Sequence, residues 1–175
     1  MDAVNVYTSA TLERTVYIPF EYVNGNIKSI LEKYIKSKYE GKCNVEGFIK
    51  KDTSSIVTYS SGILNGNSIT YVITFDCQLC TPVEGMVFKC VADNITKAGI
   101  KASIPGGQSP MTIFIVRDHH HMLKEFSTIK VGDTIEIRVI GQRYELNDKT
   151  ISVIGEYLPS KRPVKPSKLV FKDKK

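Results

Sequence analysis

Between Ser68 and Leu79 the chain alternates: Ile69, Tyr71, Ile73, Phe75, Cys77 and Leu79 are separated by Ser68, Thr70, Val72, Thr74, Asp76 and Gln78. A period of two puts one set on a buried face and the other on a face open to water, the signature of a half-buried strand. The Asn65-Gly66 dipeptide in front of it is a hairpin signal and joins it to a strand predicted over residues 55–64. Residues 11–20 read as the first strand, stopped at Pro19, and 43–50 as a further short one. The period changes in one place. Ile27, Ile30, Leu31, Tyr34 and Ile35 fall at i, i+3, i+4, i+7 and i+8, one stripe of a helix. Asn24-Gly25-Asn26 offers its turn and N-cap, Lys36 and Lys38 suit its negative end, and Gly41 ends it. Residues 1–82 are thus expected to form a β-α-β-β-β unit, a small antiparallel sheet with one helix across its inner face.

Beyond Pro82 the pattern is all strand: 85–92, 99–104, 111–117, 133–141 and 149–155. Turn signals separate them at Asp93-Asn94, Pro105-Gly106-Gly107, Val131-Gly132-Asp133 and Asn147-Asp148. Five short strands, with a longer irregular link over 118–130 between the third and fourth, are the plan of an OB-type Greek-key barrel over 83–158. The expected fold class is α+β, and the stretch from Pro82 to Ile104 is its seam. Residues 159–175 hold Pro163 and Pro166 among lysines and are expected to form a flexible basic tail.

Composition is that of a globular protein, with 42% hydrophobic and 24% charged residues. No apolar run approaches the roughly 18 residues of a membrane span, and the N-terminus lacks a signal-peptide pattern, so an intracellular protein without membrane contact is expected. The net charge of +6 does not describe the body of the chain. Lys161, Arg162, Lys165, Lys168, Lys172, Lys174 and Lys175 stand against Asp173 alone and supply all of the excess. A basic face on the folded body must therefore come from local arrangement.

Few residues point to catalysis. Cys77-Gln-Leu-Cys80 has the spacing of a zinc half-site, but a structural site needs four ligands and no second pair follows. Cys43, Cys77, Cys80 and Cys90 are read as free strand thiols. His119-His120-His121 is read as a solvated inter-strand loop, because three adjacent residues cannot all aim at one ion. Phe114, between Ile113 and Ile115, is read as a core residue, with a base-stacking residue as the alternative. The glycine-rich, nucleophile-elbow and zincin motifs do not occur, so neither catalytic residues nor a cofactor or metal is expected.

Taken in order, Gly41-Lys42-Cys43, Gly47-Phe48-Ile49, Pro82-Val83-Glu84-Gly85, the run from Gly132 to Gly141, and Ile154-Gly155-Glu156-Tyr157-Leu158 resemble one family. It is the larger stalk subunit of archaeal and eukaryotic multisubunit RNA polymerases, the family of the seventh subunit of RNA polymerase II. The resemblance covers residues 11–158 and rests on the order and spacing of all these motifs together. It implies a tip domain that docks on the polymerase core (the largest subunits) and pairs with a smaller stalk subunit, followed by an S1-like barrel that contacts nascent single-stranded RNA. Two departures stand out. Val83 and Lys101 occupy positions where the family carries aromatics, and a lysine leaves phosphate attraction where a base would stack.

Candidate RNA-binding residues, on or beside the second to fourth barrel strands, are Lys97, Lys101, Arg117, Arg138, Arg143 and Tyr144. The competing reading pairs them with Asp93, Asp118, Glu136 and Glu145 as ordinary surface charges. Candidate core-docking residues are Phe20, Tyr22, Gly62, Ile63 and Leu64. The function expected is a non-catalytic polymerase stalk subunit. The alternatives are a free-standing S1-like RNA-binding protein of translation or RNA decay, and a metal-dependent enzyme using the histidines and Cys77-x-x-Cys80. Lysine and isoleucine richness fits a large DNA virus as the source, which makes the compartment cytoplasm or virion; a cellular source makes it the nucleus.

Overall fold

The computed structural model describes residues 6–159 apart from 24, 107, 108 and 121. The expected basic tail, Gly107 of one turn and His121 lie outside the described residues. Strand β1 (Thr8–Pro19) is followed by a 3-10 turn (Phe20–Tyr22) and helix α1 (Ile27–Tyr39). Strands β2 (Cys43–Asn44), β3 (Gly47–Ile49), β4 (Ser55–Tyr59), β5 (Ile63–Asn65) and β6 (Ser68–Cys80) complete a six-stranded antiparallel sheet. The central strand is β6, whose alternation the sequence announces. All of β1 pairs along one edge, from Thr8 opposite Leu79 to Pro19 opposite Ser68. Along the other edge β5, β4 and β3 follow one another.

Two segments expected to be single strands are each divided in two. Residues 43–50 fold into the β2–β3 hairpin, because Phe48 must reach Cys80 at the end of β6. Gly47 (φ 138°) makes that approach possible, since a Cβ there would lie 2.5 Å from the Cys80 carbonyl oxygen. Residues 55–64 break at Ser60-Ser61-Gly62, after a β-bulge between Ile56 and Thr58 has shifted the register. The Ser60 hydroxyl then accepts the Val72 N–H at 3.0 Å, doing the work of a ladder carbonyl. The unit is therefore β-α-β-β-β-β-β. Helix α1 covers the inner face of the sheet, with Leu31 and Ile35 buried against Val16, Ile18, Ile49, Ile56, Tyr71, Ile73, Phe75 and Cys77. Asn26 stands at the N-cap position, but its side chain makes no capping bond.

The second half is a closed barrel of β7 (Val87–Ile95), β8 (Gly99–Ser103), β9 (Met111–Val116), β10 (Thr134–Arg143) and β11 (Ile151–Leu158). Its order is β7-β8-β9-β11-β10, with β9 and β11 parallel and β10 closing onto β7, the Greek-key arrangement of an OB-like barrel. The turn expected at Asp93-Asn94 is absent. β7 runs through it with a bulge between Ala92 and Asn94, and the chain reverses at Thr96–Ala98, where Thr96 N–H donates to the Gly99 carbonyl at 2.8 Å. The link between β9 and β10 contains two 3-10 turns, Arg117–His120 and Lys124–Thr128.

The barrel core does not stop at the seam. Cys43, Phe48 and Cys80, from the ends of β2, β3 and β6, are buried in the same cluster as Cys90, Ile113, Ile137 and Val153, and Val6 and Tyr7 pack against it. Backbone bonds Cys43 N–H to Asp148 O (2.8 Å) and Asn147 N–H to Cys43 O (2.9 Å) stitch the β2–β3 hairpin to the β10–β11 turn. Cys77 and Cys80 lie three residues apart on one strand, on opposite faces and in different cores. They cannot chelate one ion together.

Candidate nucleic-acid and docking surfaces

Outward positions of the barrel follow from register. Lys101 on β8, Phe114 on β9, Ile154 on β11 and Gly141 on β10 form one cross-strand row. Phe114 is 42% exposed and Ile154 45%, so the ring expected in the core lies on the outer surface; Ile113 and Ile115, its neighbours, take the interior. The next row is Ser103, Thr112, Ser152 and Arg143. No atom lies within 4 Å of where a Cβ of Gly141 would be, so the strand is open there. One aromatic and one aliphatic side chain amid hydroxyls, with Lys101 on the rim, form a surface on which a base could stack.

The six candidate RNA-binding residues do not share one face. Lys97 and Lys101 are exposed on the β7–β8 hairpin, Lys101 opposite Phe114 and Lys97 in the turn beside Arg117, and neither has an acidic partner among the described residues. Arg117 is committed locally: it donates to the carbonyls of Lys97 (3.0 Å) and Thr96 (3.2 Å) and packs over the Phe126 ring. Arg138 pairs with Glu156 at 3.5 Å and Arg143 with Glu145 at 3.2 Å. Glu136 pairs with Lys89 rather than with Arg138. The Tyr144 hydroxyl donates to the Val45 carbonyl at 3.1 Å, which makes it a strut between the barrel and the β2–β3 hairpin. Burial, with Cys43 and Glu46 adding to it, raises its pKa.

The histidine run is divided. His119 is exposed, but His120 is 2% exposed, which corrects the expectation of a solvated loop. Its Nδ1 lies 2.7 Å from the Val116 carbonyl, and its Nε2 accepts the Tyr157 N–H at 2.8 Å. The ring stacks on Phe126 at 4.8 Å and fastens the β9–β10 link to the last strand. Among the described residues no group of three His, Cys, Asp or Glu is placed to hold a metal ion. The four thiols are buried, and desolvation pushes Cys80 and Cys90 up to about 12 and Cys43 and Cys77 up to about 11.

The five candidate docking residues lie toward the far end of the six-stranded sheet, with Ile63 and Leu64 on opposite faces of it. There Tyr17, Thr70 and Ile63 form one row, Ile18, Ile69 and Leu64 the next, and Phe20 N–H donates to the Asn67 carbonyl at 3.1 Å. Phe20 (61%), Tyr22 (60%), Ile63 (67%) and Leu64 (69%) are exposed, and Tyr17 joins them. Gly62 is held by space, as a Cβ there would come within 2.6 Å of Ile69 Cγ2. Glu21 is the one charge in residues 15–27 and 57–70.

No family model matches the chain. It is 25% identical over 166 aligned residues, 88% of this chain and 83% of the relative, to a protein of Acanthamoeba polyphaga mimivirus named "Putative DNA-directed RNA polymerase subunit L376". The resemblance to a polymerase subunit stands. A match of 88% takes in both the six-stranded sheet and the barrel, neither of which makes up more than about half of the chain. A solved structure, that of the uncharacterized protein MJ1198 from Methanocaldococcus jannaschii, matches 46% of this chain and 97% of its own at 21% identity and a TM-score of 0.36.

Exposed apolar residues of these two surfaces that the candidate sets do not contain are Phe114, Ile154 and Tyr17. The first two were legible in part, because Ile113-Phe114-Ile115 and Val153-Ile154-Gly155 alternate. Continuous apolar runs hide which parity faces inward. No helix among the described residues is long and apolar enough to cross a membrane.

Proposed function

We propose that the chain is a non-catalytic stalk subunit of a multisubunit DNA-dependent RNA polymerase encoded by a large DNA virus. The observation that carries this reading is similarity to a viral polymerase subunit along both halves of the chain. In this reading the six-stranded half is the tip domain (1–82) and the barrel an S1-like domain (83–158). The charge-poor end bearing Tyr17, Phe20, Tyr22, Ile63 and Leu64 docks on the largest polymerase subunits, as exposed aromatics suit a protein partner. A smaller stalk subunit pairs with the same half. The barrel, turned to the RNA exit channel, offers Phe114 and Ile154 to a base and Lys97 and Lys101 to phosphates of the nascent strand. Phe114 on the neighbouring strand supplies the aromatic surface that Lys101 does not.

The test is co-purification from cells in which the polymerase is made. A tagged chain is expected to bring down the two largest polymerase subunits in stoichiometric amount. Recovery of the chain alone, or with RNA and ribosomes only, would overturn the assignment and favour a free-standing RNA-binding protein.

A further inference from the structure

A second cationic surface lies on the six-stranded half, away from both surfaces described above. Lys33 and Lys36, one turn apart on α1, and Lys51, from the loop after β3, line a cleft of about 390 Å³ together with Ser37, Glu40 and Asp52. All three lysines are exposed, and among the described residues none has an ion pair. On the barrel, Lys89, Arg138 and Arg143 each stand beside a glutamate, whereas Lys97 and Lys101 do not.

Lys51 is held in position from two sides. The buried Glu40 carboxylate accepts the backbone N–H groups of Asp52 (2.8 Å), Thr53 (3.2 Å) and Ser54 (2.8 Å), which fixes the loop against the end of α1 and occupies the carboxylate. Gly41 (φ 71°) leaves the room for the Lys51 stem, whose Cε lies 2.5 Å from where a Cβ would be. Asp52 is then the one carboxylate of the cleft not engaged in this way. Three lysines against Glu40, whose oxygens are taken up by backbone N–H groups, and Asp52 leave the cleft with a net positive charge that favours an anion. We infer that this cleft binds a backbone phosphate of a single-stranded nucleic acid, independently of the barrel face.

The experiment uses the full chain and a fluorescent 20-nucleotide single strand, RNA or DNA, with affinity read by anisotropy across a salt series. Each single-strand phosphate contact contributes a slope of about −0.7 in log K against log salt, so K33Q/K36Q/K51Q, which removes one such contact, is expected to flatten the slope by about 0.7 and weaken binding severalfold at low salt. The same change is expected in a protein that already carries Phe114→Ala. On wild-type protein, bound oligonucleotide is expected to slow acetylation of Lys33, Lys36 and Lys51, which keeps the proposal testable if the triple variant fails to fold. An unchanged slope with unprotected lysines would overturn it, leaving the lysines to complement the negative end of the helix. Protection by inorganic tripolyphosphate but not by oligonucleotide would equally overturn nucleic acid as the ligand.

Discussion

The end of the six-stranded sheet and the outer face of the barrel both expose large apolar side chains, yet their surroundings differ. At the sheet end, Tyr17 and Ile63 are exposed on one face and Leu64 on the other, Phe20 and Tyr22 follow β1, and Glu21 is the one charge in residues 15–27 and 57–70. On the barrel, Phe114 and Ile154 stand as a pair between Lys101 and a row of Ser103, Thr112, Ser152 and Arg143. A sheet end rich in exposed apolar side chains and poor in charge gains most when a protein wraps it and water leaves. A lone ring among hydroxyls and cations gains little from a protein but can stack on a base while phosphates stay solvated. What surrounds an exposed ring therefore indicates its partner better than the ring itself does.

The largest effect that would break this contrast is at the sheet end. Ile63→Asp with Leu64→Asp puts two charges into the proposed interface, and hot-spot losses of about 2 kcal/mol each would weaken polymerase binding roughly a thousandfold and abolish co-purification. Both residues are mostly exposed, so the thermal midpoint of the free protein should hold. Retained co-purification would remove the docking role. Next comes Gly99→Ala. Its Cβ would fall 2.1 Å from the Ile115 carbonyl oxygen, within the β8–β9 ladder that carries Lys101 and Phe114. A loss of about 2–3 kcal/mol in urea unfolding is expected. RNA binding should fall with it, while docking survives if the two surfaces act separately.

Phe114→Ala should cost about 1–3 kcal/mol of single-strand affinity in anisotropy titrations, with little change in folding stability because the ring is on the outside. The smallest effect concerns the seam that joins the two regions. Burial pushes Cys80 and Tyr7 up to about 12 from 9.0 and 10.0. The folded protein holds these protons more tightly than the unfolded chain does, so stability is complete below pH 9.0 and declines as pH rises from there toward about 12. Urea midpoints should fall between about pH 8 and about pH 10. A flat profile would mean that these groups are solvated and the seam is open.

Much of the fold was legible where a single period ran long enough. β6 and α1 fall where alternation and the Ile27–Ile35 stripe put them, and all five barrel strands were found. Residues 43–64 were not legible, because there the structure depends on non-local partners. Gly47 serves the Cys80 carbonyl, Gly62 serves Ile69, and the Ser60 hydroxyl serves Val72. The Asp93-Asn94 dipeptide has the composition of a turn but sits in a bulge, where Asp93 accepts the Ser103 hydroxyl at 2.9 Å. The docking candidates gather at one end of the sheet. The RNA candidates scatter because a list of cations on a barrel carries no record of which are already paired, as Arg138 and Arg143 are.

The division of labour between the two surfaces is tested most directly by site-specific photocrosslinking inside a transcribing polymerase. One chain would carry a benzophenone amino acid at position 64 and a second at position 114. The probe at 64 is expected to crosslink to a large polymerase subunit and the probe at 114 to labelled nascent RNA. Crosslinks from 114 to protein alone, or from 64 to RNA, would contradict it.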